Sequence, residues 1–144
     1  RVYVNGSPAN ASIYPSRIDL ILDPTLLSKA YIGGGYIEVS VEANLSRLGF
    51  LRGSYIWRVF GSPPSIAING SGVEISNKNC FPLYVNITYL YAYKSGELWS
   101  YRSTEVEVPG KGSVFVEAPN ASYVYVDIKY RAMGVEYWER RQIR

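Results

Sequence analysis

The sequence predicts an all-β protein, an antiparallel β-sandwich of about nine or ten strands, and three observations predict it. Alternation of apolar and polar residues with a period of two recurs along the chain. Fourteen Tyr beside many Val and Ile favour pleated strands, while thirteen Gly and eight Pro supply turns. Turn signals recur at short, regular intervals, which is the spacing of a sandwich.

The clearest strand is 36–43, where Ile37, Val39, Val41 and Ala43 fall on one face. Strands at 65–69 and 72–76 flank Asn69-Gly70-Ser71, a good hairpin turn. Strands 81–93 and 97–101 flank Lys94-Ser95-Gly96, and 104–108 and 113–118 flank Pro109-Gly110-Lys111-Gly112. In 122–130, Val124, Val126, Ile128 and Tyr130 share a face, and 134–140 reads as a last strand. Earlier strands are expected at 17–22, 30–32 and 55–60. The segment 44–51 has some helical character and reads as loop or a short turn. Gly61-Ser62-Pro63-Pro64 could divide two domains, but neither half has enough strands to cover a core, so 1–144 reads as one domain.

Composition narrows the chemistry. The chain has no His and a single cysteine, Cys80, which excludes intramolecular disulfides, Cys/His zinc sites and His-activated nucleophiles. Cys80 beside Phe81 reads as a small buried hydrophobe, with an intermolecular bridge as the alternative. The net charge of +3 is mild. Basic residues cluster only at Arg140, Arg141 and Arg144, beside Tyr137 and Trp138, and Glu136 and Glu139 interrupt them. A solvated strand is expected there, and no nucleic-acid partner. No apolar run approaches the roughly 18 residues that span a bilayer. The chain opens at Arg1 without an initiator Met and no stretch resembles a signal peptide, so if the protein is exported its leader is expected to have been removed.

The strongest motif signal is a count. Of eight asparagines, six begin an Asn-x-Ser/Thr triplet without an intervening proline: Asn5, Asn10, Asn44, Asn69, Asn86 and Asn120. Ser and Thr together are 19 of 144 residues, so about one such triplet is expected by chance. Glycans need loops or outward strand positions. Asn5, Asn69 and Asn120 lie in turn-rich sequence, and Asn44 follows a strand. Asn86 is the informative case, because alternation in 83–89 turns Leu83, Val85, Ile87 and Tyr89 inward and Asn86 outward. The bland reading, that Asn and Ser are simply turn residues, explains the loop sites but not Asn86. Covalent N-linked glycans are expected, and no cofactor or metal.

Other motifs are absent. There is no Gly-x-Ser-x-Gly elbow, phosphate loop or acidic calcium loop. Gly33-Gly34-Gly35 reads as a bend or strand entrance. Glu105, Glu107 and, across a hairpin, Glu117 could pair as glycosidase carboxylates, but they fall on the face opposite Val106, Val108, Val114 and Val116, where acids are usually just solvated. Tyr89, Tyr91 and Tyr93 continue an inward stripe. Tyr123 and Tyr125 share a face with Asp127 and Lys129, which suits a subunit contact or a sugar platform. No catalytic residue is expected.

Over roughly residues 72–140 the sequence resembles the immunoglobulin-like modules of archaeal cell-surface and filament proteins. The likeness rests on Val73-Glu74-Ile75-Ser76-Asn77, Tyr84-Val85-Asn86-Ile87-Thr88, the turn Ser95-Gly96-Glu97, the run Val106-Glu107-Val108-Pro109-Gly110-Lys111-Gly112-Ser113, and the late strand from Tyr123 to Ile128. It implies an immunoglobulin-like sandwich and an archaeal, extracellular setting at the cell surface. Together with dense sequons and no active site, it gives the expectation of a structural subunit of a surface filament or pilus. Such a homopolymer would assemble by strand donation. The expected donor is Arg1, Val2, Tyr3 and Val4, within an extended segment 1–14; a frayed terminus or an ordinary edge strand is the alternative. A carbohydrate-binding or adhesion module and a glycosylated virion surface protein are the rival functions.

Overall fold

The computed structural model describes residues 1–45 and 49–144. It is mostly β, with 13 described strands in antiparallel sheets and one short helix. In chain order the strands are β1 (Val2–Val4), β2 (Ser7–Pro8), β3 (Ala11–Tyr14) and β4 (Arg17–Leu20). The helix α1 (Pro24–Gly33) follows, then β5 (Tyr36–Leu45), β6 (Gly49–Arg58), β7 (Ser65–Asn69) and β8 (Gly72–Ser76). The remainder are β9 (Leu83–Ala92), β10 (Ser100–Val108), β11 (Ser113–Glu117), β12 (Tyr123–Ala132) and β13 (Val135–Gln142).

They form three sheets and a separate hairpin. Sheet I has the order β2-β1-β5-β6, sheet II the order β10-β9-β12-β13, and sheet III the order β11-β8-β7, while β3 pairs only with β4. One core lies between sheets II and III. Val73 and Ile75 of β8 cluster with Val85, Ile87 and Tyr89 of β9, Val106 and Val108 of β10, and Val124, Val126 and Ile128 of β12. The Tyr89 hydroxyl crosses this core and donates to the Val116 carbonyl of β11 at 2.5 Å. A second core gathers Val2, Val4, Ile37 and Val39 of sheet I with Ala30 and Tyr31 of α1, Val59 and Phe81. It also takes in Leu83 and Ala132, the ends of β9 and β12.

Alternation places β9 as expected: Leu83, Val85, Ile87 and Tyr89 are buried, and Tyr84, Asn86 and Thr88 are half-buried on the other face. Several expectations need correction. The strand expected at 30–32 lies in α1. Asp23 caps that helix, its Oδ1 accepting from Thr25 N–H at 2.9 Å, and Pro24 starts it. The buried Ser28 hydroxyl then ties the helix to the Pro82 carbonyl at 2.6 Å. Strands expected separately at 97–101 and 104–108 are one strand, β10, since no Gly or Pro interrupts it. The hairpin expected around 109–112 is a crossover, for β10 belongs to sheet II and β11 to sheet III. Residues 46–48, in the segment read as a loop or short turn, lie outside the described residues; β5 runs to Leu45 and β6 starts at Gly49.

Candidate functional site

The asparagines divide cleanly by what their amide nitrogen does. Asn77 and Asn79, the two that begin no sequon, are both buried, at 2% and 8% exposure. Their Nδ2 groups are consumed by structure. Asn77 Nδ2 donates to the carbonyls of Phe81 (2.8 Å) and Val108 (3.1 Å), and Asn79 Nδ2 to that of Ser62 (2.8 Å). A buried polar side chain must be satisfied in this way.

The sequon asparagines show the opposite pattern. Asn5, Asn10, Asn69 and Asn120 are exposed and Asn86 is half-buried. At Asn5 the Oδ1 accepts from Glu38 N–H (2.9 Å), and at Asn69 from Ser71 and Gly72 N–H (2.7 and 3.1 Å). At Asn86 it accepts from the hydroxyls of Thr88 (3.1 Å) and Ser103 (3.3 Å). At these three the carbonyl side of the amide is held, while at none of the five does a described partner engage Nδ2, the atom to which an N-linked glycan bonds. The side chain of Asn44 lies outside the described residues.

The N-terminal residues form β1, bracketed by β2 and β5. Val2 pairs with Val41, Tyr3 with Ser40 and Val4 with Val39. Main-chain bonds run from Asn5 N–H to the Glu38 carbonyl and from Glu42 N–H to the Arg1 carbonyl, both 2.8 Å. Val2 and Val4 are 5% and 6% exposed in the second core, whereas Arg1 is exposed and Tyr3 half-buried. Burying two valines contributes about 2 kcal/mol each, so this three-residue strand is anchored by side chains as much as by backbone.

Beside it lies a less finished region. The β3–β4 hairpin leaves Ile13, Tyr14 and Ile18 exposed. With Val39, Val41, Tyr55 and Trp57 of sheet I it walls an apolar groove of about 440 Å³. Nothing in the sequence pattern signalled this groove, because it depends on which strands are neighbours.

On the outer face of sheet II, Trp99 packs against Tyr125 and Tyr123, with ring centroids 5.6 and 6.4 Å apart. Leu90 and Arg140 complete a shallow concavity there. Arg140 also grips Asp127 through two hydrogen bonds of 2.7 and 3.0 Å, which raises the guanidinium pKa further above its ordinary value. Two rows along the same face, Asn86 sits between Glu105 and Lys129. Of the sequence's tyrosine stripe, Tyr89 is buried, Tyr91 half-buried and Tyr93 exposed at the strand's end.

Glu105 and Glu107 are exposed, and because β10 and β11 belong to different sheets, no hairpin ladder sets Glu117 opposite them. Among the described residues no group of three His, Cys, Asp or Glu could hold a metal ion, and no helix is long and apolar enough to cross a membrane. Cys80 is exposed, not buried as expected. It lies in a tight loop where Asn77, Asn79 and Phe81 turn inward and the residues between them turn out. Compared with known proteins, the chain matches no family model, no curated protein and no solved structure.

Proposed function

We propose that this chain is a structural subunit of an extracellular, N-glycosylated filament or pilus, assembled by exchange of β1 between copies. The observation that carries the reading is the division of the asparagines. The five described ones that begin sequons leave Nδ2 without a described partner, and the two that do not are buried and bonded through it. An accidental excess of sequons has no reason to follow that division. The density of sequons supports an extracellular setting. On this reading sheets II and III are the two layers of an immunoglobulin-like sandwich, sharing one core.

Strand exchange supplies the cohesion. Apart from its own hairpin partner β2, β1 is held by main-chain hydrogen bonding along β5, by the Asn5 side chain and by two buried valines. The same bonds form equally well when β1 comes from a neighbour, and head-to-tail exchange builds an open fibre. Glycans along the fibre would block stray pairing.

Negative-stain electron microscopy of native material should show uniform filaments of this chain. Deleting residues 1–11 should give a less stable chain that no longer forms filaments, and a synthetic peptide of residues 1–14 should bind it and restore its stability. Normal polymerisation of the truncated chain would sink the exchange model. Dispersed particles from native material would instead favour the second reading, a carbohydrate-binding or adhesion module. The aromatic shelf of Trp99, Tyr123 and Tyr125 beside Arg140 and Asp127 supports that reading, since aromatic faces stack on sugar rings. Glycan binding abolished by Trp99→Ala would be its signature.

A further inference from the structure

The least protected part of the described molecule is the edge of sheet I formed by β6. This strand is ten residues long, pairs with β5 in unbroken register, and has no described strand on its other side. Every residue from Leu51 to Arg58 is exposed, including Tyr55 at 70% and Ile56 at 69%. Proteins usually blunt such an edge with prolines, bulges, brevity or dense charge. Here there is no proline or bulge, and the charges in β6 are Arg52 and Arg58. The edge strand β13, by contrast, carries Glu136, Glu139, Arg140 and Arg141.

The phase of the open edge follows from bonds elsewhere in the sheet. Val59 N–H donates to the Gly35 carbonyl at 2.6 Å, continuing the β5–β6 ladder. Along an antiparallel strand, successive residues aim their backbone groups at opposite edges. Trp57, Tyr55, Gly53 and Leu51 therefore bond towards β5. Arg58, Ile56, Ser54 and Arg52 present N–H and C=O to the open side.

We infer that β6 pairs antiparallel with β6 of a second copy of this chain, about a two-fold axis at Ser54, joining two copies of sheet I edge to edge. The strand's own sequence suits this partner and this register. Centring on Ser54 sets Ser54 against its own mate and Arg52 against Ile56, so no like charges meet. On the groove side it sets Leu51 against Trp57 and Gly53 against Tyr55. An aromatic over a cross-strand glycine is a favourable pair, because the ring covers backbone that the glycine leaves bare. Centring on Tyr55 would oppose Arg52 to Arg58, and centring on Arg52 would oppose two copies of that arginine. The Ser54 register also keeps both groove faces on one side of the joined sheet, so the half-exposed Trp57 gains a partner. An isologous contact of this kind stops at two copies. It is separate from exchange at β1, and neither requires the other.

Sedimentation of the full 144-residue chain over a range of concentrations tests it. For chains that keep β1 in their own sheet, the expected result is a dimer that saturates at two copies. Ser54→Pro removes an N–H that β5 does not use, so it should leave the melting temperature of the monomer unchanged while weakening association at least tenfold. Ile56→Lys, set against Arg52 of the second copy, should also weaken association, and Ile56→Glu should tighten it. A chain that stays monomeric at every concentration overturns the inference, as does a dimer indifferent to Ser54→Pro and to charge at Ile56. Deleting residues 1–11 abolishes exchange at β1, whereas the Ser54→Pro and Ile56 variants leave that exchange untouched, so the two contacts fail separately.

Discussion

Asn77 shows how much one side chain can organise. Its Nδ2 donates to carbonyls on two different links between sheets II and III, Phe81 before β9 and Val108 at the end of β10, and its Oδ1 accepts from Asn79 N–H at 2.9 Å. Asn77→Ala strands those groups in a dry site, where each unmet hydrogen bond costs on the order of 1–3 kcal/mol. A loss of about 3 kcal/mol is expected, read as a lower urea midpoint with unchanged slope. The described sequon asparagines bond through Oδ1 alone or not at all, with no described partner on Nδ2. Peptide mass mapping of native material should find glycan on Asn5, Asn10, Asn69, Asn86 and Asn120 and none on Asn77 or Asn79. Modification at Asn77 would overturn the division on which the proposed function rests. The triplets themselves were legible in the sequence, because a motif is local. Which amide nitrogens are engaged was not, since their partners lie up to 32 residues away.

At the scale of elements, legibility followed the range of the interaction that decides each one. Strand β9 was readable because its alternation keeps one face buried along most of its length. Helix α1 was not. Its run Leu26, Leu27, Ala30 and Tyr31 is short and apolar, a pattern that strand and helix share, and the deciding cue was the cap at Asp23 with Pro24 behind it. The crossover between β10 and β11 was hidden for another reason: a Pro-Gly-Lys-Gly link serves a hairpin and a change of sheet equally well. Sheets II and III are then joined by Tyr89, and this has a pH consequence. Burial raises the pKa of Tyr89, and likewise those of Tyr31 and Tyr130, above the ordinary tyrosine value of 10.0. The folded chain therefore holds these protons more tightly than the unfolded chain does. Their contribution to stability is fully present below pH 10 and is lost as pH rises beyond it. Tyr89→Phe should cost about 1 kcal/mol at pH 7 through the missing bond to Val116. It should also make the alkaline fall in stability, followed by urea midpoint, shallower than that of the natural chain. An equally steep fall would place the alkaline sensitivity elsewhere.

For the whole molecule the question is whether two cores make two folding units. The first core draws on sheets II and III and the second on sheet I and α1, a division that the Gly-Ser-Pro-Pro segment at 61–64 hints at in the sequence. Yet β9 and β12 run through both. Leu83 and Ala132 pack in the second core, Val85 to Tyr89 and Val124 to Ile128 in the first, and Tyr130 touches each. A ladder of eight paired residues joins these strands without a break, so removing the second core would leave the ends of both strands with bare apolar faces. That cost couples the cores, and a single cooperative transition is expected. The tryptophans allow a direct check, because Trp57 reports on sheet I and Trp99 on the outer face of sheet II. In variants keeping one of these and replacing the other two tryptophans by Phe, urea midpoints from fluorescence should coincide with each other and with circular dichroism. Asn77→Ala, although it lies at the first core, should then lower both midpoints equally. If Trp57 reports unfolding well before Trp99, sheet I with α1 is a unit of its own. The exchange of β1 would then belong to a small, marginal module that gains most of its stability from its neighbour in the fibre.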